Sequence, residues 1–430
     1  MGACCSQDIR CTDSEMDDNE RQEDNAVSYG EFGARIRLRG SSRLVSMYSQ
    51  QGKKGVNQDA MTVWENFTGE EKMVFCGVFD GHGPLGHKIG WYARDTLPSK
   101  LSHTIKKSQE KVEKYYDVAG KLDSDSNDGD DSKQHQMSLA SWESSFLKSF
   151  SETDDNISRD INIDSYCSGC TAVTVIKQGD QLMVGNLGDS RAVLCRRGNK
   201  GQLIPIQLTV DLKPNIPSEA SRIQNCEGRV FAAAEEPEVY RIWMPDEDCP
   251  GLAMSRAFGD FCLKDYGLIS VPDVFYRKLT KQDEFVVLAS DGIWDVLSNT
   301  EVIKVVASAT KRSLAAKKLV KHAVRAWRNK YPAAKVDDCA VICLFLKDEP
   351  HTTDSKPDKT KNHRHEKRNC SNGSKYTNNG NFGSGKPVEE WEAALGGGFS
   401  RANAVSQIPQ LTRDISRRKS YRYQEGVLVH

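Results

Sequence analysis

The chain has 430 residues and is nearly neutral, with 59 Lys and Arg residues against 60 Asp and Glu residues. This balance excludes a strong global field of the kind that attracts nucleic acid, and no run of residues approaches the roughly 18 apolar residues of a membrane span. The thirteen cysteines follow no disulfide spacing and no secretory signal precedes them, so we expect a reducing, intracellular compartment.

The first residues carry a pattern that predicts lipid attachment. Gly2 with Ser6 fits the N-myristoylation pattern, and Cys4 and Cys5 lie where palmitate can be added. One acyl chain binds a membrane only marginally, whereas two hold a protein there firmly. We therefore expect the protein to associate with the plasma membrane. If the first residues are instead an ordinary disordered segment, we expect it in the cytosol or the nucleus.

The next signals are an apolar strand and two helices. A strand is predicted at residues 73–79, and it is expected to end where Asp80-Gly81-His82-Gly83 turns the chain. Helical spacing follows at residues 85–101 and 141–160, and the polar stretch 99–135 is interpreted as a flexible insertion. Cys167-Ser-Gly-Cys170 is interpreted as the entry to a strand, because no second cysteine pair stands at zinc spacing and no helix follows.

The second half alternates short strands with helices. Residues 172–195 read as a three-stranded antiparallel meander with turns at Gln178-Gly-Asp180 and Gly188-Asp-Ser190. Residues 227–250 are expected to be irregular. The remaining predicted elements are helices at 217–226, 298–308 and 313–327 and strands at 285–290 and 340–346.

Composition divides the chain into three parts. Residues 1–45 are expected to be a disordered, acylated tail, residues 46–346 a globular domain, and residues 347–430 a largely disordered tail rich in Lys, His, Asn and Gly. The low mean hydropathy of −0.60 agrees with a globular centre between polar ends.

Carboxylates recur at the ends of the predicted apolar strands, namely at Asp59, Asp80, Asp291 and Asp337, and Asp189 lies in a tight turn. A buried carboxylate is unfavourable unless a cation compensates it, and no run of Arg or Lys lies beside these positions. Oxygen ligands without thiolate or imidazole suit Mg²⁺ or Mn²⁺. Several carboxylates can hold two ions, which would lower the pKa of a bridging water and bind a phosphoryl oxygen.

His82 stands next to these ligands and is a candidate proton donor to a leaving alkoxide. Taken alone, Asp80-Gly81 reads as an ordinary turn, and His82 reads as a structural hydrogen-bonding residue near it. The rest of the chain decides between these interpretations.

Five motifs stand in the order seen in the metal-dependent type 2C Ser/Thr protein phosphatases, and the chain from about residue 46 to 346 resembles that family. The motifs are Val78-Phe-Asp-Gly-His-Gly83, Gly188-Asp-Ser-Arg191, Ala253-Met-Ser-Arg-Ala-Phe-Gly-Asp260, Ala289-Ser-Asp-Gly-Ile-Trp-Asp-Val296 and Asp337-Asp-Cys-Ala-Val341. The predicted acylation and the run from Asp260 to Ser270 look most like the plant branch.

The resemblance implies a role for each matching position. Asp80 would bridge two ions and the Gly81 carbonyl would bind one of them. Asp291 and Asp337 would bind the other ion, and Asp59 would ligate or hold metal-bound water. Asp189 and Asp295 match positions linked to a third, weaker ion, and His82 would be the general acid. Members of the family attack phosphorus directly with metal-bound water and form no phosphoenzyme.

The sequence departs from the family pattern at two positions. Lys54 stands where the family often has an arginine that grips the substrate phosphate, and Gln58 replaces an acidic residue. Lysine offers a point charge rather than a planar fork, so phosphate affinity would be lower or its geometry looser. Residues 214–250 correspond to the family's variable flap, where we expect substrate choice to be determined.

The resemblance implies an α+β fold, a four-layer α-β-β-α sandwich of two antiparallel sheets flanked by helices. It implies a phosphatase that acts on phosphoserine and phosphothreonine in phosphorylated protein substrates and requires Mg²⁺ or Mn²⁺, and we expect a monomer. A catalytically weak, membrane-tethered scaffold is one alternative, suggested by Lys54 and Gln58. A metal hydrolase that acts on a small phosphate ester is another.

Overall fold

A computed structural model describes residues 27–120, 137–234, 236–248, 251–347 and 400–401. The predicted lipidation residues Gly2, Cys4 and Cys5 lie outside these ranges. Among the helices in these ranges, none combines the length and the apolar character that crossing a membrane requires.

Short strands make up most of the fold. In chain order they are β1 (Val27–Tyr29), β2 (Arg35–Arg37), β3 (Val45–Gln50), β4 (Asp59–Glu65), β5 (Val74–His82), β6 (Gly169–Cys170), β7 (Ala172–Gln178), β8 (Gln181–Leu187), β9 (Arg191–Arg197), β10 (Leu203–Gln207), β11 (Arg229–Ala232), β12 (Tyr240–Trp243), β13 (Phe258–Gly259), β14 (Asp273–Lys278), β15 (Asp283–Ala289), β16 (Cys339–Phe345) and β17 (Ser400–Arg401).

The helices connect and cover these strands. They are α1 (Gly86–Gly120), α2 (Leu139–Arg159), α3 (Pro217–Asn225), α4 (Phe261–Lys264), α5 (Asp291–Trp294), α6 (Asn299–Ala307) and α7 (Ala315–Lys330), with 3-10 turns at Glu31–Gly33, Phe67–Gly69 and Arg312–Leu314. Local sequence sets several of the starts. Ser138 caps α2, Pro217 opens α3, and Ser298 with Glu301 forms a capping box on α6.

Two antiparallel sheets form the centre of the domain. The larger sheet has the order β1-β2-β4-β5-β7-β8-β14-β17, and the short strand β6 pairs with β5 and β13 beside it. The smaller sheet has the order β10-β9-β15-β16-β3, and β11 and β12 form a separate hairpin. Consecutive strands of these sheets pair antiparallel throughout the described register.

Alternating apolar residues place the two sheets face to face. In β5, Val74, Cys76 and Val78 point into the core between the sheets, whereas Phe75 and Phe79 point towards α1 and α2. The strands β15 and β16 alternate in the same way between that central core and the core under α6 and α7. The layers are therefore α-β-β-α, which confirms the predicted fold class.

Four local predictions need correction. The strand β5 does not end at Phe79 but continues through His82, because Gly81 and His82 pair with Cys170 and Gly169. The predicted meander is broken after β8, since β9 belongs to the other sheet and the chain crosses between sheets at residues 188–190. Residues 227–250 contain the hairpin β11–β12, and α1 extends to Gly120 into the stretch interpreted as an insertion.

The folded part also begins earlier than the predicted boundary at residue 46. The strands β1 and β2 lie in the segment expected to be a tail, and β2 pairs with β4, with Ile36 opposite Trp64. Their short length and mixed charge gave no clear strand pattern in the sequence. The edge of the larger sheet supplies the partner that stabilises them.

Candidate metal centre

Strands from both sheets bring acidic residues to one end of the sandwich. Asp59 is the first residue of β4 and lies opposite Asp80 of β5 in the larger sheet. Asp291 follows β15 and Asp337 precedes β16, which is the neighbour of β15 in the smaller sheet. Asp189 lies in the crossing from β8 to β9. The sequence order scatters these residues, and the pairing of the strands collects them.

The carboxylates affect one another's protonation, which shows that they share one environment. Burial raises the pKa of Asp80 well above its ordinary value, and the charges of Asp291, Asp59, Asp189 and Asp337 raise it further. Burial also raises the pKa of Asp291, and its acidic neighbours Asp189 and Asp337 act in the same direction. The predicted ligands of two separate sheets therefore interact electrostatically.

Two further carboxyl groups at this end of the sandwich are perturbed in the same direction. Burial raises the pKa of Asp59 to about 7, against the opposing effect of a hydrogen bond from Ser290 Oγ to Asp59 Oδ2 at 2.7 Å. Burial raises the pKa of Asp295 to about 6, although Lys213 lowers it. Buried carboxyl groups that lie this close together either keep their protons or bind cations that compensate their charge.

Two lysines contact the edge of this group. Lys54 Nζ donates to Asp337 Oδ2, and Lys213 Nζ donates to Asp189 Oδ2. Although burial lowers the pKa of both ammonium groups, their carboxylate partners raise it, so both lysines stay charged. The predicted phosphate-binding Lys54 thus lies beside a predicted ligand, and its side chain is 56% exposed. The contribution of Lys213 was not foreseen from the sequence.

The chemistry of the candidate donors shows whether a divalent cation fits between them. In the described ranges no three His, Cys, Asp or Glu side chains are grouped as a finished metal site. Three observations nevertheless fit a cation. The candidate donors are all oxygen atoms, burial raises the pKa values of Asp59, Asp80, Asp291 and Asp295, and Asp189 Oδ1 is buried without a hydrogen-bond partner in the described residues. The residues therefore suit hard divalent ions.

His82 lies beside the carboxylates and is held by a residue that sequence reasoning missed. Its Nε2 atom is 2.5 Å from Asp260 Oδ2, and its Nδ1 atom is buried without a hydrogen-bond partner among the described residues. Burial lowers the pKa of His82, but the Asp260 carboxylate outweighs that effect and raises it. Gly169 leaves room for the pair, since a Cβ there would lie 2.7 Å from His82 Nε2.

A second ion pair, between Asp154 and Lys264, fixes the segment that carries Asp260. Asp260 stands in the left-handed region with φ of 49°, and Gly259 N next to it donates to Asp154 Oδ1 at 2.9 Å. Lys264 Nζ donates to Asp154 Oδ2 at 2.8 Å and to the Ala257 carbonyl at 2.8 Å. The final Asp of the Ala253–Asp260 motif was the only sequence signal for this position.

Asp338 ties the loop that carries Lys54 to the closing strand. Its Oδ1 accepts from Gly52 N at 2.6 Å and its Oδ2 accepts from Gln58 N at 2.8 Å. Gln58, which replaces an acidic residue of the family pattern, uses its amide to donate to the Gly83 carbonyl at 2.9 Å. It thereby fixes the turn after His82, which is a structural task for an uncharged side chain.

The flap, residues 214–250, is anchored to the domain through a buried ionic network. Glu219 of α3 accepts from Arg256 Nη2 at 2.8 Å and from Ser255 Oγ at 2.7 Å, and Arg256 also donates to Asp273 at 3.0 Å. Phe231 of β11 stacks on Trp243 of β12. The described part of the flap therefore contains α3 and the hairpin β11–β12, and the hairpin lies where residues 227–250 were expected to be irregular.

Comparison with known proteins places the chain in a family. A sequence profile of the family described as protein phosphatase 2C matches residues 44–329. Probable protein phosphatase 2C 65 of Arabidopsis thaliana is 55% identical over 355 residues, which are 82% of this chain and 90% of the relative. Probable protein phosphatase 2C 73 of Oryza sativa subsp. japonica is 49% identical over 392 residues, which are 89% of this chain and 90% of the relative.

A solved structure shows the same fold. The serine-threonine phosphatase 2C from Toxoplasma gondii aligns with a TM-score of 0.60 and 23% identity, and the alignment covers 73% of this chain and 98% of that one. The plant relatives confirm the resemblance to the plant branch that the motifs indicated.

Proposed function

Because the chain belongs to the protein phosphatase 2C family and is therefore a metal-dependent protein-serine/threonine phosphatase, we propose that two Mg²⁺ or Mn²⁺ ions act at the carboxylate centre. The observation that carries this proposal is that strand pairing places Asp59 opposite Asp80 in the larger sheet, while Ser290 of the smaller sheet, next to Asp291, donates to Asp59 Oδ2 at 2.7 Å. Such a concentration of buried negative charge is unfavourable unless cations compensate it.

The residues divide into groups by position. Asp80 and the Gly81 carbonyl would hold the ions from the side of the larger sheet. Asp291 and Asp337 would hold one ion from the side of the smaller sheet. Asp59 would ligate or orient water, and Asp189 with Asp295 would hold a third, weaker ion. When bound, the ions would lower the pKa of water and neutralise charge on the phosphoryl group.

The protein's own residues would manage the substrate and the proton. Lys54, with its partly exposed ammonium beside Asp337, would contact the substrate phosphate as a point charge. Because Asp260 engages Nε2 of His82, the proton for the departing serine or threonine oxygen would come from Nδ1. Asp260 acts through His82 and is a positioning residue.

Assignment to protein substrates rests on the relatives, which are named as protein phosphatases. A tethered scaffold without catalysis gains no support from these comparisons. We also propose that acylation at Gly2, Cys4 and Cys5 attaches the protein to the plasma membrane, on the strength of the sequence pattern alone, and that it acts as a monomer.

One assay tests the proposed activity. Purified full-length protein is incubated with phosphoserine and phosphothreonine peptides and, in parallel, with a small aryl phosphate, with Mn²⁺ or with a chelator. We expect peptide turnover that requires Mn²⁺ and is lost in Asp80→Asn. Peptide turnover no greater than that of the variant would contradict catalysis, and turnover of the aryl phosphate alone would contradict a protein substrate.

A further inference from the structure

Two cysteine thiols lie next to each other at the edge of the site. Cys167 Sγ donates to Cys262 Sγ at 3.6 Å, although the two residues are 95 positions apart in the chain. Cys167 belongs to the Cys-x-x-Cys sequence, which was interpreted as a simple strand entry, and nothing in the sequence indicated Cys262 as its neighbour.

Backbone hydrogen bonds fix the two segments side by side. Asp260 N donates to the Ser168 carbonyl at 2.9 Å, and Cys262 N donates to the Tyr166 carbonyl at 3.0 Å. These bonds continue the short pairing of β6 with β13. The two thiols are therefore held opposite each other by the fold and do not meet through a chance side-chain rotation.

The two thiols differ in access. Cys167 is half-buried, whereas Cys262 is 4% exposed and packs in the apolar cluster under the flap with Ile223, Ile242 and Leu263. Burial also raises the pKa of the Cys262 thiol, so that it stays protonated. An oxidant from solvent reaches Cys167 first, and Cys262 lies where a second thiol is needed to complete a disulfide.

We propose that Cys167 and Cys262 form a redox modification site that a peroxide converts into an intramolecular disulfide. The Cys167 thiolate attacks one peroxide oxygen, the O–O bond breaks, and Cys167 becomes a sulfenic acid while hydroxide leaves. The Cys262 sulfur then attacks the Cys167 sulfur, the S–O bond breaks, and water leaves with the Cys262 proton. Overall, two thiols lose two electrons and two protons, and hydrogen peroxide becomes two waters.

The disulfide would change the site because each cysteine lies two residues from a residue that contacts His82. Gly169 follows Cys167 and Asp260 precedes Cys262, and these two residues pack around His82. Closing the 3.6 Å separation to a bond of about 2 Å would bring the two sulfur atoms about 1.5 Å closer and would pull on the paired segments that carry them. Gly169 has no space to spare there, since any Cβ would already collide with Asp260.

This consequence rests on the proposed role of His82 in phosphate hydrolysis. A displacement of about 1 Å in a catalytic geometry can reduce the rate about 100-fold, so we expect the oxidised protein to lose at least about tenfold in turnover. In a reducing compartment the disulfide would be transient, as intracellular disulfides generally are when they act as sensors.

The experiment uses reduced, full-length protein with Mg²⁺, which has no redox chemistry of its own. The protein is titrated with hydrogen peroxide, the remaining thiols are alkylated, and the digest is mapped by mass spectrometry while phosphopeptide turnover is measured. We expect a linked peptide pair containing Cys167 and Cys262, a loss of about tenfold or more in turnover, and recovery of both after a dithiol reductant.

The control variants separate this site from other thiols. Cys262→Ser and Cys167→Ser should keep their turnover after peroxide treatment, with melting curves confirming that both variants are folded. Cys226→Ser, which removes a half-buried thiol at the end of α3, should respond to peroxide as the wild type does. Retained sensitivity in both Cys167→Ser and Cys262→Ser would overturn the assignment.

Two further outcomes distinguish this inference from the proposed function. Absence of the linked pair at peroxide concentrations that oxidise Cys226 would overturn the disulfide site, whatever the activity. A linked pair with unchanged turnover would overturn its regulatory effect. If the reduced wild type has no turnover at all, the proposed function fails, and the linked pair alone then decides whether the disulfide site exists.

Discussion

Removal of divalent cations should reverse the usual dependence of stability on pH. Asp59 has an ordinary pKa of 3.8, which burial in the folded protein raises to about 7. The folded state therefore holds a proton that the unfolded chain has already released, and stability is lost as pH rises. A difference of about 3 pKa units corresponds to about 4 kcal/mol.

The two pKa values of Asp59 set the pH range over which its contribution to stability is lost. The contribution of Asp59 is fully present below pH 3.8 and is lost as pH rises through about 7. About 3 kcal/mol of it falls between pH 5 and pH 8, which is a decrease of roughly 5–10 °C in melting temperature for a domain of this size. Asp80 and Asp291 shift in the same direction and add to the effect.

The assay is thermal unfolding of the full chain in chelator at pH 5, 6, 7 and 8, repeated with saturating Mg²⁺. In chelator we expect the melting temperature to fall as pH rises, because unbalanced carboxylates must ionise inside the protein. In Mg²⁺ the fall should vanish, since the ions then compensate the charge, and Asp59→Asn should flatten the chelator curve. A melting temperature in chelator that stays level or rises from pH 5 to pH 8 would refute the reasoning.

Three other predictions concern positions outside the ligand set. Asp260→Asn should lower kcat about 100-fold with little change in KM, which steady-state kinetics will show; an unchanged kcat would remove its positioning role. Glu219→Gln should lower the free energy of unfolding, measured in urea, by about 3 kcal/mol. The reason is that Arg256, acting against burial, lowers the pKa of Glu219 from 4.5 to about 2. An unchanged free energy of unfolding would contradict the role of Glu219 in anchoring the flap. Gly2→Ala should move the protein from the membrane fraction to the cytosol, and unchanged fractionation would count against acylation.

The resemblance to the family predicted the layers of the fold, and apolar runs bounded by aspartates predicted most of the candidate ligands. The apolar runs of β5 and β15 indicate buried strands, and the aspartates at their ends are the candidate metal ligands. The motif order, which depends on the family rather than on local propensity, connected those separate strands into one site. The crossing at residues 188–190 was misread because a turn sequence looks alike within one sheet and between two.

What the sequence could not show depends on pairs that are distant along the chain. Asp260 meets His82 and Asp154 meets Lys264 across sequence separations of 178 and 110 residues. Cys167 and Cys262 are close because β6 pairs with β13, two strands too short to be recognised by periodicity. Lys213 similarly reaches Asp189 only after the chain has left the smaller sheet.

The central claim is that aspartates from two sheets hold divalent ions together, and a binding measurement tests it most directly. Mn²⁺ is titrated into metal-free, full-length protein, and free Mn²⁺ is followed by electron paramagnetic resonance. We propose that the wild type binds two ions tightly and that Asp80→Asn, with an isosteric side chain and one charge fewer, binds fewer of them with lower affinity. A wild-type isotherm identical to that of Asp80→Asn would contradict the account.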